Sequence, residues 1–284
     1  MNYFEGGLLK VGCREPRGEI FEFIFSILKS KTVGKVMLLF ALLNLNYPAF
    51  SQISENQKVA NSFGTVVTVT NNGISFIPTF SLEKPAAIFD LTIGRKLTFE
   101  PQFRFSLEGK PWSFLFWWRY KALKTDKFIF NTGAHLGLAY KTIAVIANGE
   151  SKGVQSVNRY LAGELSPNYL LSNNISVGIY YLYSRGIDKD ATRNTHFLTL
   201  NTNFSDIKLS GQYYMKFVPQ VYYLRMNQYD GFYFTSSLTL ANRKSPFSIS
   251  GMFNKIIKTD IFASKNFVWN VSLVYRFNRK YVER

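Results

Sequence analysis

The stretch 97–123, LTFEPQFRFSLEGKPWSFLFWWRYKAL, constrains this chain more than any other. Its first half sets Leu97, Phe99, Pro101, Phe103, Phe105 and Leu107 on one face and Thr98, Glu100, Gln102, Arg104 and Ser106 on the other. Its second half sets Trp112, Phe114, Phe116, Trp118 and Tyr120 against Ser113, Leu115, Trp117, Arg119 and Lys121. Side chains that alternate with period two belong to a β-strand, so the stretch reads as a hairpin turning at 108–111. One face is too aromatic for water. The same rhythm continues to the C-terminus with no helical segment to cover it, which leaves lipid as the cover.

Further strands are expected at about 128–143, 157–168, 174–184, 194–204, 207–218, 231–240, 247–257 and 267–277. The separators 124–127, 170–173, 205–206 and 242–246 are short, whereas 147–156, 185–193, 219–230 and 258–266 are longer. A barrel in a membrane shows this alternation, with short turns on one side and longer loops on the other. The segment 74–89, ISFIPTFSLEKPAAIF, repeats the skeleton of 97–114 in abbreviated form, which predicts a second hairpin turning at 83–85. Pro78 and Pro101 then fall inside strands, with bulges as the expected accommodation. Counting both hairpins gives an all-β, antiparallel, up-and-down membrane-spanning barrel of about twelve strands, with ten and fourteen as the neighbouring even counts. TVVTVT at 65–70 is left open as a first strand, a bulged extension of the next, or a tether folded into the lumen.

Upstream, Lys29, Lys31 and Lys35 precede the apolar run 36–45 and then Ala49 and Ser51. These are the parts of a secretory signal peptide, with cleavage expected between Ser51 and Gln52. The chain thus divides into a removed segment 1–51, a periplasmic lead or ambiguous first strand at 52–72, and a barrel at 73–284. Cys13, the only cysteine, falls in the removed part, so no disulfide framework exists.

The formal net charge is +16, and most of that excess lies beyond residue 51. Basic side chains are scattered singly along alternating strands, and no helix-turn-helix, zinc or RNA-recognition signature is present; nucleic acid is therefore not an expected partner. By alternation Asp90, Glu100 and Glu164 face the lumen, and so do Arg104, Arg119, Lys121, Lys141, Lys208, Lys216 and Arg276. That basic surplus predicts an anion-favouring interior. A register with Leu107 opposite Trp112 sets Glu100 across from Arg119 as an ion pair. His135 is expected in the lumen beside Trp117 and one step from Arg119. With only His135 and His196 present, no multi-histidine metal site can form and no cofactor is expected. Trp112, Trp118, Tyr120, Trp269 and Tyr275 are expected as aromatics at the two lipid interfaces.

The last strand, FVWNVSLVYRF at 267–277, resembles the closing strand of Gram-negative outer-membrane β-barrels, although 278–284 trail beyond it. That resemblance implies insertion by the barrel-assembly machinery, contact with outer-membrane lipid and lipopolysaccharide, and termini facing the periplasm. The class holds porins, transporters, adhesins and a few lipid-acting enzymes, and fold alone does not choose among them. Expectation centres on a small-solute channel with a basic lumen. Its rivals are a plugged barrel serving as adhesin, structural or complex subunit, and a Ser-His lipid hydrolase.

Overall fold

Alternating apolar and polar side chains can bury only one face of each strand, and closing a sheet on itself removes the unpaired edges that such strands would otherwise expose. The computed structural model of the chain describes residues 60–75, 77, 81–147, 150–262 and 265–282. They form a closed antiparallel barrel of twelve strands: β1 Ala60–Thr70, β2 Ala86–Gly94, β3 Leu97–Ser106, β4 Pro111–Lys124, β5 Phe128–Ala147, β6 Glu150–Leu170, β7 Ile175–Gly186, β8 Asn194–Ser210, β9 Tyr213–Met226, β10 Tyr229–Asn242, β11 Phe247–Thr259 and β12 Phe267–Val282. Each strand pairs with its neighbours in sequence, and β1 closes the ring on β12, from Ala60 against Val282 to Thr70 against Ser272. The expected signal segment and its Ser51–Gln52 junction lie outside the described residues.

Twelve was the expected count, but its first member is different. TVVTVT belongs to β1, a full strand, whereas the described residues of 74–85 form no strand and belong to the connection from β1 to β2. Gly73 donates its N–H to the Lys84 carbonyl and accepts from Leu82, which folds this connection back on itself. The hairpin expected at 83–85 is therefore absent, and Pro78 lies outside the described residues. The repeat records a shared local preference, and the vacancy beside β12 is filled by 60–70, which pairs on both sides.

Strands also run further than expected. The described residues of separators 147–156 and 205–206 are strand and those of 219–230 largely so, and tight turns fall instead at 211–212 and 227–228. Asn227 holds the left-handed backbone that a two-residue turn needs, with φ 55°. β5 and β6 pair with each other as far as Ala147 and Glu150, but β4 leaves β5 at Ala139 and β7 leaves β6 at Tyr160. Beyond those points they continue as a two-stranded ribbon. Connections 71–85, 107–110, 187–193, 227–228 and 260–266 and the link from β5 to β6 lie at this end, called here the loop end, and Ala60 of β1 and Val282 of β12 lie at the other.

Pro101 keeps its place in β3 without a bulge. The β2–β3 pairing lapses beside it, between Asp90–Gln102 and Ile93–Phe99, and resumes in the same register. β6 does the same at Pro167 and β9 at Pro219. A proline lacks one N–H, so the ladder loses a rung and needs no extra residue.

The outward face is apolar around the ring. Leu161, Leu200, Ile249 and Leu273 are all more than half exposed. Tyr120, Tyr169, Tyr213, Phe247 and Tyr275 gather near the terminal end, and Phe232, Phe267 and Trp269 near the loop end. Trp118, Tyr120, Trp269 and Tyr275 thus stand outward as expected. Trp112 does not.

Candidate functional site

The placement of Trp112 follows from one bulge. Arg104 pairs with Ser113 but Phe105 pairs with Pro111, so Trp112 is the extra residue on β4. A bulge turns two successive side chains to the same side. Trp112 accordingly faces inward, only 6% exposed. The Arg104 guanidinium lies 5.4 Å from the centre of its ring. The residue expected at a lipid interface is thus part of an interior wall.

Below it, toward the middle of the barrel, the expected ion pair has grown into a network. The β3–β4 register is two residues off the expected one, with Thr98 opposite Arg119 and Glu100 opposite Trp117. A shift of two preserves the face, so Arg119 still reaches Glu100, at 2.6 Å from Nη1 to Oε2. Arg119 also donates from Nε to Glu164 Oε1 at 2.6 Å and from Nη2 to Oε2 at 3.2 Å. Tyr180 donates its hydroxyl to Glu164 at 2.7 Å, and Thr98 donates to Glu100 at 2.7 Å. Alternation along β5 sets a glycine inward between the pair, but its role there was missed from sequence. Gly133 on β5 is flanked by Arg119 on β4 and Glu164 on β6, and a Cβ there would stand 3.0 Å from Glu164 Oε1 and 2.9 Å from the Trp118 carbonyl. The bridge between two non-adjacent strands passes over a residue with no side chain.

His135 takes its expected place, its ring 4.1 Å from that of Trp117, over which Arg119 also lies at 4.3 Å. Its Nδ1 has no hydrogen-bond partner. His196 shares a hydrogen bond with the Tyr181 hydroxyl at 2.9 Å, and its ring lies tilted 5.0 Å from that of Tyr183. Among the described residues neither histidine is joined to a serine, and no group of three potential metal ligands forms.

Toward the loop end the lumen is packed. Trp117, Ala162, Leu182, Phe197, Tyr222, Leu224 and Tyr233 converge from β4 and β6 to β10, all at most 8% exposed. Ile77 of the 71–85 connection and Ile261 of the 260–266 connection insert among them. Tyr222 stacks on Tyr233 at 4.8 Å and donates to Asn254 at 2.7 Å, which satisfies its hydroxyl inside the apolar cluster. Two ion pairs hold the connection from outside: Lys84 to Glu108 at 3.2 Å and Glu83 to Lys265 at 2.6 Å.

Beside this cluster lies a cavity of about 630 Å³, walled by the 71–85 connection and by β3 to β8. Trp112, Trp117, Leu115 and Phe197 line it with Arg104, His135 and Tyr180, and Lys84, Lys110 and Lys141 are also on its wall.

The other expected lumen charges are spread apart. Lys121, Lys141, Lys208 and Arg276 are exposed. Lys216 is partly buried and within electrostatic reach of Arg276. Arg119 is neutralised by two carboxylates, so the basic surplus sits toward the ends and at Arg104, not around the middle.

No family model matches the chain, and no characterised protein matches it in sequence. Among solved structures it is similar to the KdgM porin, 11% identical over 76% of this chain and 99% of that one with a TM-score of 0.46. It is similar to the NanC porin, 10% identical over 78% and 100% with a TM-score of 0.43. OmpT, an outer membrane protein of Vibrio cholerae, is 8% identical over 79% and 100% with a TM-score of 0.38. These neighbours are outer-membrane β-barrels, the class that the closing strand resembles. At such identities and scores the likeness transfers neither substrate nor activity.

Proposed function

We propose that the protein is an integral outer-membrane barrel that passes small solutes through a gated lumen, closed at rest from the loop end. The membrane location rests on the closed ring with its apolar outer face. An outward surface carrying Leu161, Leu200, Ile249 and Leu273 more than half exposed is stable only against hydrocarbon. Periplasmic termini follow from the same reading, because they leave the short turns on the periplasmic side.

One observation carries the gating. The cluster that fills the lumen includes Ile77 and Ile261, which belong to connections and not to the barrel wall. Each buried isoleucine contributes about 1.5–3 kcal/mol of transfer free energy, a closure that stays shut at rest and opens at modest cost. The ion pairs that fasten the 71–85 connection are exposed, and pairs of that kind are worth about 0–1 kcal/mol each. Anion preference is proposed for the open form, carried by the cations left without carboxylates: Arg104, Lys216 and Arg276.

Planar-bilayer recording of the purified chain tests the reading. The expected result is a mostly closed barrel whose openings become frequent in Ile77→Asp with Ile261→Asp, since a carboxylate in the apolar cluster disfavours the closed packing. In that variant, Lys216→Glu with Arg276→Glu should move the reversal potential toward cations. A variant that remains folded yet passes no ions would refute gating and favour a permanently plugged barrel, an adhesin or a complex subunit, which the packed lumen also fits.

A further inference from the structure

Arg104 differs from Arg119, the other arginine set deep in the lumen. Arg119 is held by Glu100 and Glu164, but no carboxylate of the described residues comes within 4.0 Å of the Arg104 guanidinium. Its Nη2 donates to the Gln102 side-chain oxygen at 3.0 Å, and its Nε is shut off from solvent without an acceptor. Asp90 is close enough to act on it electrostatically but forms no ion pair, and Asp90 Oδ1 is likewise without a partner. Among the described residues the Arg104 Nη1 makes no hydrogen bond, and the natural complement of a guanidinium fork with donors to spare is a planar anion such as a carboxylate.

The surroundings say what else that anion must carry. Arg104 lies on the wall of the 630 Å³ cavity, its charge against the face of Trp112, with Leu115, Trp117, Phe197 and Ile77 on the remaining sides. Hydrophobic and aromatic walls around one placed charge are the usual form of a small-ligand pocket, and the volume is in the ordinary range for one. A sugar or an inorganic anion would leave these apolar walls unfilled. A fully apolar molecule would leave Arg104 as it stands.

We infer that this cavity is a binding site for a small amphipathic carboxylate, its carboxyl group on Arg104 and its aromatic or aliphatic body between Trp112, Trp117 and Phe197. The site rests on the proposed outer-membrane reading only for which side the ligand arrives from. Lys84, Lys110 and Lys141 on the cavity wall would draw such an anion in, although Glu108 offsets the first two, which it holds at 3.2 and 3.9 Å. His135, on the same wall with Nδ1 free, supplies one further polar atom.

Isothermal titration of the purified chain in detergent with 2-naphthoate, against the neutral isostere 2-naphthamide, tests this without any conduction measurement, so a failure of gating and a failure of binding are read separately. The carboxylate should bind at least tenfold more tightly than the amide. Arg104→Met should abolish that difference, and Arg104→Lys should keep part of it, because an ammonium retains the charge but not the fork. Lys244→Met, remote from the cavity, should change neither affinity. Equal affinity of the wild-type barrel for the two probes, or no binding of either, would overturn the inference, and it would do so even if Arg104→Met failed to fold. Unchanged discrimination in a folded Arg104→Met barrel would overturn it as well.

Discussion

Removing Arg119 is the sharpest test of what holds the barrel wall together. Its guanidinium makes three contacts to carboxylate oxygens, at 2.6, 2.6 and 3.2 Å. The Glu164 side chain it neutralises is only 3% exposed and that of Glu100 21%. Arg119→Met keeps the volume and apolar stem but strands two carboxylates in a region that water reaches poorly. Hydrogen bonds to charged groups contribute about 1.5–3 kcal/mol each, yet the desolvation of the arginine is recovered on its removal. The net expectation is the cost of breaking a buried pair from one side, about 3–5 kcal/mol. In a urea titration of the barrel in phospholipid vesicles, followed by tryptophan emission, a slope of about 2 kcal/mol per molar turns this into a midpoint lower by about 2 M. The variant Arg119→Met with Glu100→Gln and Glu164→Gln removes all three charges and should recover most of the loss, because neutral replacements leave no buried charge uncompensated. A fall of less than about 0.5 M in the single variant, or no recovery in the triple one, would refute the assignment of the network as a structural clamp across β3, β4 and β6.

Gly133→Ala should destabilise the barrel by about 1–3 kcal/mol in the same titration through overpacking, because the new methyl group meets the Trp118 carbonyl and Glu164 Oε1. Its effect should be less than additive with Arg119→Met, since the two perturb one bridge. The 187–193 connection is fastened by Asp188, whose carboxylate accepts from Arg159, and these bonds hold its pKa below the usual carboxylate range. A depressed carboxylate pKa stabilises the docked form at pH values above the ordinary one and ceases to do so as pH falls through the depressed value. Limited proteolysis at this connection should thus be equally slow at pH 7 and pH 5, with release confined to strongly acidic solution and to Asp188→Asn at any pH. Mass spectrometry of the protein recovered from outer membranes should give Gln52 as the first residue; retention of 1–51 would refute the signal-peptide assignment.

What the sequence determined by itself is whatever follows from alternation along one strand. Period two is a local property, so the apolar outer face and the inward sets containing Glu100, Arg119, His135 and Glu164 are written in consecutive residues. Parity also explains why the Glu100–Arg119 contact was legible from a register wrong by two: a slip of two residues changes the partner but not the side. Three things needed the closed barrel. Trp112 faces inward because one extra residue on β4 relative to β3 reverses the parity there, and nothing in PWSF marks which residue is the extra one. The segment 74–85 shares its skeleton with a true strand yet its described residues stay out of the sheet, because the place beside β12 is awarded by pairing over some two hundred residues, and 60–70 fills it along eleven consecutive pairs. The filled lumen is likewise non-local. Leu182, Tyr222 and Ile77 have nothing in common in sequence, and only closure of the ring brings the inward faces of six strands and two connections to a shared volume, where burying them together removes more apolar surface from water than any strand could alone.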